Sequence, residues 1–207
     1  MCKHFTSKVL NTFYVDKYEV TNAEYQKCVS AQQCSSPSDT KLGSLSYYGN
    51  SVYDSYPVVW VTRENAEQYC GWRDAYVPSE EEWEKAARGN DQRSYPWGNQ
   101  TDLTSRANGP GSEDGFHVTA PVGSFPLGIS PYGAFDMAGN VSEFISDNYV
   151  RHDTGYEGKL YPMTKGGDWY GNKFVQSDWS GLLSYDYNWI AVPNSWTGFR
   201  CARDANP

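Results

Sequence analysis

The sequence predicts an α+β domain that is rich in loops and built from few, short regular elements. Three observations carry this. Helix-start signals occur three times before Asn90, each with a short apolar face behind it. Strand-like runs are brief and isolated. Nineteen glycines and eleven prolines break up the rest of the 207 residues, so connections dominate. That length suits one large domain or two small ones. No shift in composition marks a boundary, and no internal repeat or low-complexity tract is visible.

Taken in order, Phe13 to Val20 alternates well enough for a strand. Thr21-Asn22-Ala23-Glu24 follows as a capping box, in which the Thr21 hydroxyl accepts the Glu24 amide and Glu24 reaches back. It predicts a helix from Asn22 to about Ser30. Cys28 lies near its end and Cys34 just beyond, where a bridge would tie the helix terminus to the next loop. Residues 41–56 are rich in Ser, Tyr and Gly without a period and read as a long ordered loop. Pro57-Val58-Val59-Trp60-Val61 is a short buried-strand candidate. Thr62 opens a second helix, Arg63 to Arg73, with Ala66, Tyr69, Cys70 and Arg73 on one face. Ser79 caps a third, with Glu82 at its third position and acidic residues at the positive end of the helix dipole. That helix should stop at Arg88, before Gly89. Beyond it no helical period recurs, only short apolar pieces among turn residues.

A net charge of -8 and scattered basic residues exclude a phosphate-neutralising face, hence nucleic acid and anionic membrane as partners. No apolar run approaches the roughly 18 residues of a membrane span. The first residues, Met1 to Phe5, carry no apolar core of a signal peptide. The five cysteines suit two bridges plus one odd thiol in an exported protein, and equally five free thiols in a reducing compartment. His4, His117 and His152 are isolated and show no metal-ligand spacing.

The stretch from Gly166 to Arg203 differs from the rest. Tyr170, Phe174, Trp179, Tyr185, Tyr187 and Trp189 alternate with Asn172, Ser177, Asp178, Ser184, Asp186, Asn188 and Asn194. Rigid amphipathic rings mixed with small polar groups are the palette of binding loops. The competing reading is an aromatic-rich pair of core strands.

Several motifs, in order, resemble one family. They are Tyr18-Glu19-Val20-Thr21-Asn22; Val77-Pro78-Ser79-Glu80-Glu81-Glu82-Trp83; Tyr95-Pro96-Trp97-Gly98-Asn99; Asp136-Met137-Ala138-Gly139-Asn140-Val141-Ser142-Glu143; Gly166-Gly167-Asp168-Trp169; and Gly198-Phe199-Arg200-Cys201. Together they resemble the formylglycine-generating-enzyme-like, or sulfatase-modifying-factor, domain. The match runs over residues 12–203, leaving tails at 1–11 and 204–207. The resemblance implies a C-type-lectin-like α+β fold with structural calcium. One expected calcium set is Asn108, Gly109, Asp114 and Phe116; the other is Asp136, Gly139, Val141 and Glu143. Carboxylates mixed with turn carbonyls are the hard oxygens calcium takes. The resemblance also pairs Cys70 with Cys201.

In the enzymes of this family two copper-binding cysteines lie between the Gly-Gly and Gly-Phe-Arg motifs. Here that interval holds none, and by counting their places fall near Gln176 and Gly181. The expectation is therefore a non-catalytic protein that binds a protein ligand or cell-surface receptor through segment 168–196. The variable proteins of diversity-generating retroelements do this with the segment before such a C-terminal motif. A fixed adhesion or sensing module, or an enzyme with an altered active site, are the alternatives. Disulfides would place the chain outside the cell, on its surface or on a virion. Trp169 and Trp196 are expected to be frame rather than face.

Overall fold

The computed structural model describes residues 9–91, 93–150, 158–171 and 192–205. Among these are three α-helices and seven strands, the strands forming three small sheets. Helix α1 (Asn22–Ser30) and helix α3 (Glu80–Arg88) each begin with a closed capping box, on Thr21 and Ser79. Helix α2 (Arg63–Trp72) is capped by Thr62 with Asn65 as the reciprocal partner. Local chemistry thus sets all three starts, because the cap hydroxyl satisfies amides that have no partner inside the helix. Ala66, Tyr69 and Cys70 are buried as expected. Arg73 lies just beyond α2, and its guanidinium holds Asp16 at 2.7 and 3.1 Å.

Strand β1 (Phe13–Val15) pairs antiparallel with β7 (Ala202–Asp204), which brings these two distant segments side by side. The expected strand to Val20 stops early. Beyond Val15 the backbone is bonded to the far end of the chain, Asp16 N–H to Cys201 C=O and Val20 N–H to Phe199 C=O, without a continuous ladder. Strands β2 (Lys41–Leu42) and β3 (Leu45–Ser46) form a minimal hairpin inside the expected loop. The Pro57–Val61 candidate is not a strand: Thr21 and Pro57 form an isolated bridge. Val58 donates to Val20, while Trp60 donates to Asn194 and sits at φ +61. Three different partners break any ladder.

The longest strand, β4 (Ser142–Val150), was not legible in the sequence. Its first four residues are buried on both faces and only the remainder alternates. A register shift between Phe144 and Asn148 separates the two halves. It lies at the centre of a three-stranded sheet, antiparallel to β5 (Leu160–Lys165) and parallel to β6 (Thr197–Gly198).

The main core packs Tyr25, Tyr69, Phe144 and Phe199 around two disulfides, Cys28–Cys34 and Cys70–Cys201. A second core forms around Trp83, Met137 and Ile145. No helix among the described residues is long and apolar enough to cross a membrane.

Candidate functional site

Gly166, Gly167 and Gly171 all have positive φ. They bend the chain out of β5 and around the side chain of Asp168, which is fully buried. Asp168 Oδ1 accepts the amides of Tyr170 and Gly171 at 3.0 and 2.9 Å, and Oδ2 accepts the Ser142 hydroxyl. This turn throws Tyr170 outward, where it is 60% exposed. Its ring stacks on Trp196 at 5.4 Å and 17° and meets Trp169 edge-on at 5.5 Å. Trp169 is half-buried against Leu42, Tyr47, Val59 and Val141 and donates its indole N–H to Ser195 C=O. Trp196 accepts the Ser142 amide through its own carbonyl. Both tryptophans are half-buried, and Tyr170 is the exposed ring packed on them.

Asn194, expected on the binding face, is 7% exposed. Its Oδ1 caps the Trp196 amide at 3.0 Å and its carbonyl accepts the Trp60 amide, so it holds the turn instead. Asn172, Phe174, Ser177, Asp178, Trp179, Ser184, Tyr185, Asp186, Tyr187, Asn188 and Trp189 lie outside the described residues, as do Gln176 and Gly181.

Beside this turn is the first expected calcium set. Asn108 is 1% exposed, and its amide nitrogen donates to Val118 C=O and Asn140 Oδ1. Asn108 Oδ1 is buried with no hydrogen-bond partner. A buried amide oxygen left without a donor is costly. Asp114 holds the loop closed, accepting the amides of Gly109 and Phe116 at 2.8 and 2.9 Å. Its carboxylate retains further lone pairs. The unmet Asn108 oxygen and the Asp114 carboxylate, six residues apart in one loop, are oxygen donors of the kind a hard cation takes. No cluster of three or more His, Cys, Asp or Glu that could hold a metal occurs among the described residues, so such a site would lean on carbonyl oxygens.

The second set is arranged differently. Glu143, expected as a calcium ligand, is instead the partner of Arg200. Arg200 Nε lies 2.7 Å from Glu143 Oε2 and its terminal nitrogen 2.6 Å from Oε1, both residues being 0% exposed. The Trp83 indole donates to the same Oε2 at 2.7 Å. Asp136 turns to the Gly123 amide at 2.6 Å. Gly139 donates its amide to Gly166 C=O and Val141 its amide to Glu19 Oε1. With its carboxylate already neutralised by Arg200, Glu143 does not fit the role of calcium ligand expected of it.

Sequence reasoning passed over Glu19 and Asn140. Glu19 is 1% exposed and accepts the Asn140 side-chain amide at 2.6 Å. Asn140 has φ +62, a conformation that asparagine tolerates better than most residues. Asparagine immediately after a glycine was the available signal. Burial, with the charges of Asp136 and Glu143, holds the Glu19 carboxyl well above the usual range. Burial likewise raises Asp136 from 3.8 to about 6, partly offset by the Gly123 amide and Arg200.

A folded-state pKa above the unfolded value means that the folded protein holds the proton more tightly. The stability Asp136 contributes is therefore present below pH 3.8 and lost as pH rises through about 6. That change is worth about 3 kcal/mol for a shift of this size. In chelator, the melting temperature of the wild type should fall from pH 5 to pH 8 more steeply than that of Asp136→Asn. Equal slopes would contradict the assignment.

The family model described as the sulfatase-modifying factor enzyme 1-like domain matches residues 4–205. The chain is 42% identical over 107 residues to the protein named inactive C-alpha-formylglycine-generating enzyme 2 of Bos taurus, covering 47% of this chain and 35% of that one. It is 34% identical over 183 residues to the formylglycine-generating enzyme of Thermomonospora curvata, covering 75% and 59% respectively. It thus spans roughly a third and under two thirds of these relatives' lengths. The structure of Treponema denticola variable protein 1 matches with a TM-score of 0.67 over 93% of this chain and 84% of that one, at 20% identity. At that identity the likeness shows a shared fold and nothing more.

Proposed function

Because the chain belongs to the sulfatase-modifying factor enzyme 1-like family, we propose that it is a non-catalytic member. In this reading it binds a protein ligand through segment 168–196, as the variable proteins of diversity-generating retroelements do. The observation that carries this is the cysteine inventory. The interval from Gly167 to Phe199 contains no cysteine, and four of the five cysteines in the chain are bridged elsewhere. A soft copper ion needs thiolate or thioether ligands, and a redox thiol has no substitute in an amide or a hydrogen. What the described part of the segment offers instead is an exposed tyrosine on a stacked aromatic base.

The fold shared with a protein named a variable protein is compatible with this reading, and the relative named inactive supports it. The relative named as an active enzyme is the reason to test it. Two disulfides suit a non-reducing compartment, and an extracellular, cell-surface or virion-associated place follows as part of the proposal. Calcium is proposed as a structural ion on Asn108, Gly109, Asp114 and Phe116.

Three measurements decide. Purified chain given copper and a thiol peptide should show no oxidation above the metal alone; turnover overturns the non-catalytic reading. The gene should lie beside a reverse transcriptase and a near-copy of the coding sequence for segment 168–196. Their absence removes diversification and leaves a fixed binding module. Tyr170→Ala should weaken capture of a protein ligand selected on the purified chain by about 1–2 kcal/mol, with an unchanged melting temperature. A matching loss of stability would instead mark the ring as packing.

A further inference from the structure

Residues 139–142 form a partition between the Asn108–Asp114 loop and the aromatic base, hydrogen-bonded on both sides. Toward the loop, the Asn140 amide donates to Asn108 C=O at 2.8 Å and its Oδ1 accepts the Asn108 side chain at 3.0 Å. Toward the base, Asn140 C=O accepts the Trp169 amide at 3.0 Å and Gly139 donates to Gly166 C=O at 2.9 Å. Ser142 completes that side through the Trp196 carbonyl and Asp168. A second contact bypasses the partition. A Cβ on Gly171 would fall 2.8 Å from the Pro110 Cβ, so the loop is packed directly against the turn that carries Tyr170.

We propose that a calcium ion at the Asn108–Asp114 loop and the Tyr170–Trp196 face are energetically coupled through Asn140 and the Gly171–Pro110 contact, making binding at this face calcium-linked. The inference rests on the calcium assignment above. The unpartnered Asn108 oxygen is the element that the ion would change. Without the ion that oxygen is buried and unmet. With it, Asn108 is held, and through it the carbonyl that fixes Trp169. Coupling of this kind is reciprocal: a ligand held at the aromatic face must change the affinity for the ion by the same factor by which the ion changes the affinity for that ligand.

The test uses the whole chain and calcium alone, and needs no ligand. Isothermal titration reads the affinity for the metal, and amide hydrogen exchange reads protection at Trp169, Tyr170 and Gly171. Calcium should raise protection there by about fivefold or more. Asp114→Asn should abolish both the binding and the gain. Gly171→Ala, which drives a methyl into Pro110 at a positive φ, should weaken calcium binding by a comparable factor while the chain still melts cooperatively. Failure to bind calcium overturns the assignment on which the proposal rests. Binding with protection confined to residues 107–116, or unaltered affinity in Gly171→Ala, overturns the coupling itself. Neither outcome bears on whether the face binds a protein.

Discussion

Arg200→Leu is expected to destabilise the protein by about 3–5 kcal/mol, read as the shift in urea midpoint. The reason is the charge it leaves behind. Arg200 and Glu143 are both fully buried, and the guanidinium contacts both carboxylate oxygens. Removing one partner strands a carboxylate that already has the Asp136 and Glu19 carboxyl groups as neighbours. Arg200 also donates to the carbonyls of Asp16 at 3.1 Å and Phe135 at 2.8 Å. Its loss removes one of the ties among three segments, beside the backbone bonds of Asp16 to Cys201 and of Phe135 to Lys17. Replacing both partners, as Glu143→Leu with Arg200→Leu, should recover part of the loss, because a matched apolar pair does not bear the desolvation cost of a lone ion. A single variant that costs under about 1 kcal/mol would contradict this account.

The second large effect is expected from the Cys70–Cys201 bridge. It closes a loop of 131 residues with a Cα–Cα distance of 5.6 Å. In the chain-entropy picture such a loop is worth about 5 kcal/mol, whereas the six-residue separation of Cys28 and Cys34 gives about 2. The Cys70→Ala, Cys201→Ala double variant should therefore melt well below the Cys28→Ala, Cys34→Ala variant. Both Cys70 and Cys201 are at most 1% exposed among Tyr69, Phe144 and Phe199, so lost packing adds to the loss in loop closure. Equal melting temperatures would mean that the denatured chain is already compact around this pair. Under reducing conditions the wild type should approach the first variant, linking the fold's stability to a non-reducing compartment.

Arg200 and Glu143 also mark the limit of what was legible. Each belongs to a recognisable motif, but 57 residues separate them. Nothing local says that a carboxylate in β4 meets a guanidinium beyond β6. The resemblance to the family suggested an ion for Glu143, and the structure supplied an arginine. Asn194 is a similar case. A polar side chain among aromatics reads as binding surface, yet its two hydrogen bonds to Trp196 and Trp60 need a partner 134 positions away that only folding brings near. Strand β4 escaped notice because burial on both faces of Ser142–Ile145 removes the period of two that announces a strand.

The sequence alone determined the ends of α1 and α3, the absence of thiolates between Gly167 and Phe199, and the presence of an aromatic, polar segment there. Caps act within three or four residues, and a missing atom type is missing in any fold. Tertiary structure decided the rest. It alone determined which carboxylate is neutralised by Arg200, which asparagine oxygen is left unmet, and which aromatic ring stands outward on two others. Those outcomes depend on burial and on contacts between segments far apart in the chain. The free energy of a buried charge or an unpaired oxygen is set by what surrounds it, not by its neighbours in sequence.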